Sequence, residues 1–293
     1  MTEYPKFSVL MSVYAKERSE YLKQSFKSIL DQTILPTELV LVQDGPIPQK
    51  LRDIIIDFKL KLAKLEVSMN ILSLQSNHGL GYALGIGISQ CKCEYIARMD
   101  TDDIALPKRF EKQIAFLASH RNIDILGTNS VEFSENLNRL QSNPLPENDT
   151  EIKKRLSSRN PFSHPTVMFK RVSVLQAGNY QSCPYFEDYF LWARMINNGA
   201  IGHNLPQKLL MSRINDNLYS RRGGLEYVAA IISFRMKLMK LKKIQNLVNI
   251  KAMMIQISVA LLPNKIRRLL YKDMLRKKDN VSVMSDEFIN YID

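Results

Sequence analysis

The chain has little of what usually announces a chemistry. Its three cysteines, Cys91, Cys93 and Cys183, include no C-x-x-C pair and leave one thiol over. That argues against a disulfide framework or a cysteine-based zinc site and for a reducing compartment. The four histidines, His78, His120, His164 and His203, are scattered and build no H-E-x-x-H helix. No apolar run reaches the roughly 18 residues a spanning helix needs. The longest, Ala252 to Pro263, is short and broken by Gln256 and Ser258. No secretion signal opens the sequence, since Met1-Thr2-Glu3-Tyr4-Pro5-Lys6 runs straight into a strand-like segment, so a cytoplasmic location is expected. No internal repeat or low-complexity tract is visible.

What is present is a globular composition, 293 residues with 45% hydrophobic and 24% charged, enough for one large α/β domain plus an appendage. The charge is unevenly placed. Of 41 Lys and Arg, 17 fall between Lys208 and Lys278, against 3 of the 29 Asp and Glu. The formal net charge of +12 is therefore a property of the C-terminal quarter. An anionic membrane surface is the favoured partner of such a region. No nucleic-acid partner is expected, because no helix-turn-helix, RRM or aromatic-basic interleaving accompanies the charge.

Hydrophobic periodicity alternates regularly. Phe7 to Tyr14, Glu38 to Gln43, Val67 to Leu74 and Glu94 to Met99 read as strands. Between them Glu20 to Gln32, Leu51 to Leu65 and Leu80 to Cys91 read as helices. This predicts an α/β fold with a mixed, mainly parallel sheet flanked by helices, whose ligand edge lies at the C-terminal strand ends. Three polar clusters fall there: Ser12 to Tyr14, Asp44-Gly45, and Asp100 to Asp103. Further on, Pro107 to Ser119 and Asp188 to Asn197 read as helices. Ile123 to Gly127, Ser130 to Phe133 and Thr166 to Phe169 read as short strands, and Leu225 to Arg276 as helical with a break at Pro263.

The richest segment is Arg98-Met99-Asp100-Thr101-Asp102-Asp103, which follows the buried-strand stretch Tyr95-Ile96-Ala97. Carboxylates this crowded need a counter-charge, and hard oxygen donors suit Mn²⁺ or Mg²⁺ holding a phosphate. An Asp-rich turn capping the next helix is the plain alternative.

Four ordered motifs carry a resemblance: Phe7 to Tyr14 with Glu20 to Thr33; Glu38 to Gly45; Asn77-His78-Gly79 through Asp100 to Asp103; and Glu187-Asp188-Tyr189-Phe190-Leu191-Trp192-Ala193-Arg194. Over about residues 6 to 222 the chain resembles family 2 glycosyltransferases, inverting enzymes of the GT-A nucleotide-sugar fold. The resemblance implies a metal at Asp102, with Asp100 beside it and the ion bridging the donor's two phosphates. Asp103 either caps the helix or orders a metal-bound water. Asp188 would be the general base, with Glu187 orienting it or binding acceptor hydroxyls, though the pair also suits a helix start. Asp44 would accept from uracil N3, Ser12 and Tyr14 would lie at the nucleotide, and Gly79 and Gly81 would let backbone approach it. Arg98 would pair with a phosphate or a sheet-end carboxylate. His164 falls near the acceptor or is a structural histidine. Arg213, Arg221 and Arg222 form a lid over the diphosphate or belong to the basic surface. Trp192 reads as core.

Departures matter too. Gln43 and Pro46 stand within the usual Asp-Asp-Gly-Ser, Phe190 replaces a common acidic residue, and no Gln-x-x-Arg-Trp segment follows. The expectation is a single-addition hexosyltransferase domain over 1–222 and a basic helical region over 223–293. Its donor would be UDP-glucose or UDP-galactose. Its acceptor would be a saccharide on a polyprenyl diphosphate at the inner face of the plasma membrane, in O-antigen or capsule assembly. A sugar nucleotidyltransferase should instead show a Gly-rich basic loop after the first strand, and Ser12-Val13-Tyr14-Ala15 is not one. A non-catalytic membrane-associated protein of the same fold is the third reading.

Overall fold

The computed structural model describes residues 4–133, 140–142, 144–214, 222–270 and 277–278. Strands β1 (Phe7–Val13), β2 (Glu38–Gln43) and β3 (Ser68–Ser73) alternate with helices α1 (Ser19–Leu30) and α2 (Gln49–Lys64). Helix α3 (Leu80–Gln90) then returns the chain to β4 (Tyr95–Arg98), which pairs with β1 on the side away from β2. All of these pairings are parallel. The strand order thus reverses at β1, which leaves a crevice at the C-terminal ends of β1 and β4. Right-handed crossovers put α1 and α2 on one face and, after the reversal, α3 on the other. The two core clusters follow that division. Val9, Met11 and Val13 pack with Leu22, Phe26, Leu51 and Phe58, whereas Leu10 packs with Ala83, Leu84 and Ile88.

The later strands are more mixed. After β5 (Ile104–Ala105) and α4 (Arg109–Ser119) come β6 (Ile125–Phe133), β7 (Leu140–Ser142), α5 (Asp149–Leu156), a 3-10 turn (His164–Thr166), β8 (Met168–Lys170) and α6 (Arg171–Gln176). Strand β8 is antiparallel to both β4 and β6. The two short strands expected at 123–127 and 130–133 are one strand, β6. The polar break between them is an irregularity in its register around Thr128 and Asn129. Its partner β9 (Gly202–Arg213) carries Pro206 at that point, where a residue without an N–H is accommodated off the ladder. The expected strand start at Thr166 shifts to Met168, because Thr166 closes the 3-10 turn.

Helix α7 (Glu187–Asn197) lies in the second core with Trp192 fully buried beside Phe162 and Phe169. The C-terminal region forms α8 (Leu225–Met239), α9 (Asn246–Leu261) and α10 (Asn264–Leu269), followed by the two-residue β10 (Lys277–Lys278). The part of the expected helix from 271 to 276 lies outside the described residues. Tyr227, Ile231, Phe234 and Leu238 of α8 join the core of the sheet. Phe234 stacks on Phe186 at 4.4 Å and meets Tyr189 at 4.8 Å. The region 223–270 thus packs on α7 through a shared apolar layer. Phe234→Ala should cost about 3–5 kcal/mol of unfolding free energy, read from urea denaturation. A loss below about 1 kcal/mol would mean the hairpin is energetically separate.

Candidate functional site

Three parallel strands end together, and each hands a polar group to the same edge. The Asp44 backbone N–H donates to the Val13 carbonyl at 2.8 Å, locking the end of β2 to β1. Its buried carboxylate accepts the His78 N–H at 2.8 Å and the Gly79 N–H at 2.9 Å. Asp44 therefore hangs the loop before α3 from the sheet, and Gly79 turns into that helix at φ +90°. This is a use for Asp44 beyond the base contact expected of it. Tyr14 stands exposed just past β1, and Ser12 offers its carbonyl to the Thr101 hydroxyl at 3.4 Å. Gly81 has a packing reason: a Cβ there would lie 2.8 Å from Glu187 Cγ, so α3 and α7 start against each other.

The acidic run continues from β4. Carboxylate oxygens of Asp100, Asp102 and Asp103 all lie within 4.8 Å of one another. Asp100 pairs with Arg98, whose side chain is 1% exposed. Asp103 accepts the Arg213 backbone N–H at 2.8 Å and the Ser212 hydroxyl at 3.4 Å. No described side chain donates to Asp102. Burial first, then the charges of Asp100 and Glu17, push Asp102 up from 3.8 to about 7. Asp103 is pushed well up by burial and the same crowding. A carboxylate whose pKa is raised by folding stabilises most below its unfolded pKa. For Asp102 that contribution is lost as pH rises from about 4 through about 7. The donor set is all hard oxygen and Arg98 compensates its negative charge only in part, which fits Mn²⁺ or Mg²⁺. Asp102 and Asp100 would hold the ion, and Asp103 is taken up by the end of β9.

Arg213 is not on a lid. It ends β9, donates from Nε to the Asp102 carbonyl at 3.0 Å and from Nη2 to Gln24 at 2.6 Å. Its guanidinium lies 3.8 Å over the Tyr21 ring. Arg221 lies outside the described residues, and Arg222 is half-buried just before α8.

On the opposite side, Glu187 and Asp188 open α7. Asp188 Oδ2 accepts from Asn160 Nδ2 at 2.7 Å. Burial raises its pKa, while Asn160 and the Arg98 charge pull it back. Glu187 is raised by burial and by Asp188. His164 Nε2 meets the Tyr180 hydroxyl at 2.7 Å, and burial plus Arg98 hold the imidazole well below its usual range, so it is neutral. Tyr180 feels the charges of Arg98, Asp188, Asp100 and Glu187, so it lies within electrostatic reach of both acidic groups.

The structure thus brings Ser12, Arg98, Asp100, Asp102, Asp188, Glu187 and His164 to one edge, with Asp44, Gly79 and Arg213 as its framework. Sequence reasoning missed Glu17, Asn160 and Tyr180. Glu17 accepts the Thr101 hydroxyl and is raised chiefly by burial. Its place just after β1 was a usable signal. Asn160 and Tyr180 sit in irregular segments with none.

Comparison with known proteins agrees with this geometry. The model of glycosyl transferase family 2 matches residues 8–178. The amylovoran biosynthesis glycosyltransferase AmsE of Erwinia amylovora is 38% identical, over 91% of this chain and 98% of its own length. The UDP-Gal:alpha-D-GlcNAc-diphosphoundecaprenol beta-1,3-galactosyltransferase of Escherichia coli is 31% identical, over 93% and 98%. Among solved structures, mannosyltransferase PcManGT of Pyrobaculum calidifontis, in complex with GDP-Man and Mn²⁺, superposes with a TM-score of 0.62 at 12% identity. That match covers 91% of this chain and 72% of the other. The architecture is the GT-A fold.

A metal test follows from the crowded carboxylates. Mn²⁺ at a hundredfold excess over its Kd should stabilise the protein by about 2.7 kcal/mol, seen as a rise in Tm. Asp102→Asn should abolish that rise while melting no lower without metal, because it relieves repulsion. An undiminished Mn²⁺ shift in the variant would remove Asp102 from the metal site.

Proposed function

Since this chain belongs to glycosyl transferase family 2, we propose that it is a metal-dependent, inverting transferase. It moves one hexose from a UDP-sugar to a saccharide carried on a lipid diphosphate, in the building of a surface polysaccharide or O-antigen. The observation that carries the reading is the pairing of two acidic groups across Arg98 and Tyr180: the Asp100–Asp103 cluster on the sheet and Glu187–Asp188 at the start of α7. One group suits a donor diphosphate and the other an acceptor hydroxyl. The Escherichia coli relative, whose name gives a UDP-Gal donor and a diphosphoundecaprenol-linked acceptor, supports UDP-galactose and a lipid acceptor.

Asp102 and Asp100 would hold the metal, which would supply Lewis-acid neutralisation of charge on the departing diphosphate. Asp188 takes the proton of the acceptor hydroxyl. The hydroxyl oxygen then forms the new bond to the anomeric carbon as the bond to the diphosphate oxygen breaks on the opposite face, so the configuration inverts and UDP leaves. Desolvation makes Asp188 a stronger base than an exposed carboxylate, while Asn160 fixes one oxygen and, with the Arg98 charge, favours the ionised form. His164, neutral, orients the Tyr180 hydroxyl. Asp44 keeps the loop at 77–79 in place for the nucleotide, with Ser12 and Tyr14 on its other side. The basic region 223–293 keeps this domain at the inner membrane face where such acceptors reside.

Purified protein with Mn²⁺ and a panel of UDP- and GDP-sugars should release UDP from one UDP-hexose when given a lipid-linked acceptor. Asp188→Asn should lose about 10²–10⁴ in kcat and keep UDP binding; full activity in that variant would refute the base assignment. The acid limb of kcat/KM should lie above the ordinary carboxylate range, with activity falling as Asp188 is protonated. Asn160→Ala removes a hydrogen bond that favours the ionised form, so the limb should move to higher pH. A limb that stays put or moves down counts against Asp188 as the base.

A further inference from the structure

Helix α9 wears its apolar side outward. Leu247, Ile250, Met254, Ile255 and Leu261 are between 37% and 78% exposed. Leu247, Ile250, Met254 and Leu261 follow one another at steps of three, four and seven residues and Ile255 adjoins Met254, so they share one side of the helix, with exposed Lys251 and Ser258 among them. Within α9 only Asn249 and Ala260 are buried, while Met253 and Ile257 pack against the core from the inner side. A surface helix ordinarily shows the opposite arrangement, with its polar face to water. The charge around the stripe is of one sign. From Tyr227 to Lys272 the sequence holds ten Lys and Arg and no Asp or Glu. Lys242 and Lys243 before α9, Lys251 on it and Lys265 after it are all exposed.

Several partners could cover an apolar face, and the charge selects among them. A second copy would set lysines against lysines without a carboxylate in the segment to meet them. A nucleic acid would match the lysines and leave the stripe in water. An anionic bilayer matches both, taking the stripe into the acyl boundary and the lysines among phosphates. We propose that the outward face of α9 is the surface by which the protein lies on an anionic lipid bilayer, the helix parallel to the membrane plane. This deepens, and rests on, the reading of a lipid-borne acceptor.

The seating also limits how far α7 lies from the bilayer. Helix α8 separates α9 from α7, and Phe234 of α8 stacks on Phe186 next to Glu187. Two helix spacings, about 16–20 Å, are therefore the most that separates the axis of α9 from that of α7.

Flotation of the full-length protein with vesicles tests this. The probes are phosphatidylcholine alone and phosphatidylcholine with one third phosphatidylglycerol. The protein should float with the anionic vesicles only, and the bound fraction should fall several-fold as salt rises to about 0.5 M and the Debye length shortens. The exposed double variant Met254→Glu with Ile255→Glu should lose about tenfold in bound fraction with an unchanged melting curve. Ile255→Trp should bind more tightly. Wild-type protein that stays unbound, or a double-Glu variant that floats like wild type, overturns the proposal. So does a dimer seen by light scattering without vesicles that the same double variant dissolves. Thermal shift with UDP, run on the same proteins, separates the two readings. Absence of any UDP shift with flotation intact would reject the transferase reading and leave the membrane face standing.

Discussion

Three carboxylates held at the end of a buried parallel strand impose the central constraint. Two unit charges 4.8 Å apart repel by about 3 kcal/mol at an effective dielectric of 20. The fold meets this with fixed positive charge and donors. Arg98 pairs with Asp100, the Arg213 backbone N–H bonds Asp103, and the Arg213 guanidinium holds the Asp102 carbonyl. Behind them lies Arg109, fully buried with no carboxylate partner among the described residues. Its guanidinium reaches the Arg98 carbonyl at 2.7 Å and Gln113 at 3.1 Å. Burial and the Arg98 charge bring it down to about 9. Two arginines are thus packed close at a net desolvation cost. The charges of Asp100 and Asp103 offset part of that cost.

The sheet makes the cluster possible. Reversal of strand order at β1 opens a crevice, and β4 ends inside it with β1 on one side and β8 on the other. Buried amides then fix the chain as it leaves the crevice. Gln32 donates to the Leu106 carbonyl at 2.8 Å and accepts the Phe110 N–H at 3.1 Å, while Gln113 donates to the Thr166 carbonyl at 2.9 Å. These glutamines tie α1, α4 and the turn carrying His164 to the same point, so the acidic run has one available conformation.

The parallel half of the fold was legible because parallel strands buried on both faces read as short apolar runs, and their ends are punctuated by polar residues. The acidic run, Asp188 and Asp44 were visible for that reason. What was hidden depends on contacts distant in sequence. Strand β9 is interrupted by Pro206 and alternates weakly, so periodicity gave no sign of it. Without β9, Arg213 looked like a loop arginine rather than a clamp on Asp102. Gly81 looked like room for a nucleotide, since nothing local tells that Glu187 will pack on it. Asn160 and Tyr180 are ordinary loop residues until α7 is docked beside them.

The basic C-terminal hairpin and the candidate base share an anchor. Arg235 of α8 is buried. It donates to the carbonyls of Ser157 at 3.1 Å and Ser158 at 2.8 Å, and to Asn249 of α9 at 3.0 Å. Ser157 and Ser158 lead directly to Asn160, which holds Asp188. One guanidinium therefore ties α8, α9 and the segment that fixes the base. Because it is buried with its donors taken up, this junction resists hinge motion between the hairpin and α7: opening it would leave carbonyls and a cation unsatisfied in a dry interior. A surface that seats α9 would orient α7 and Asp188 with it as one rigid piece. The localised charge and the geometry of the candidate site are then two consequences of how the same helices pack.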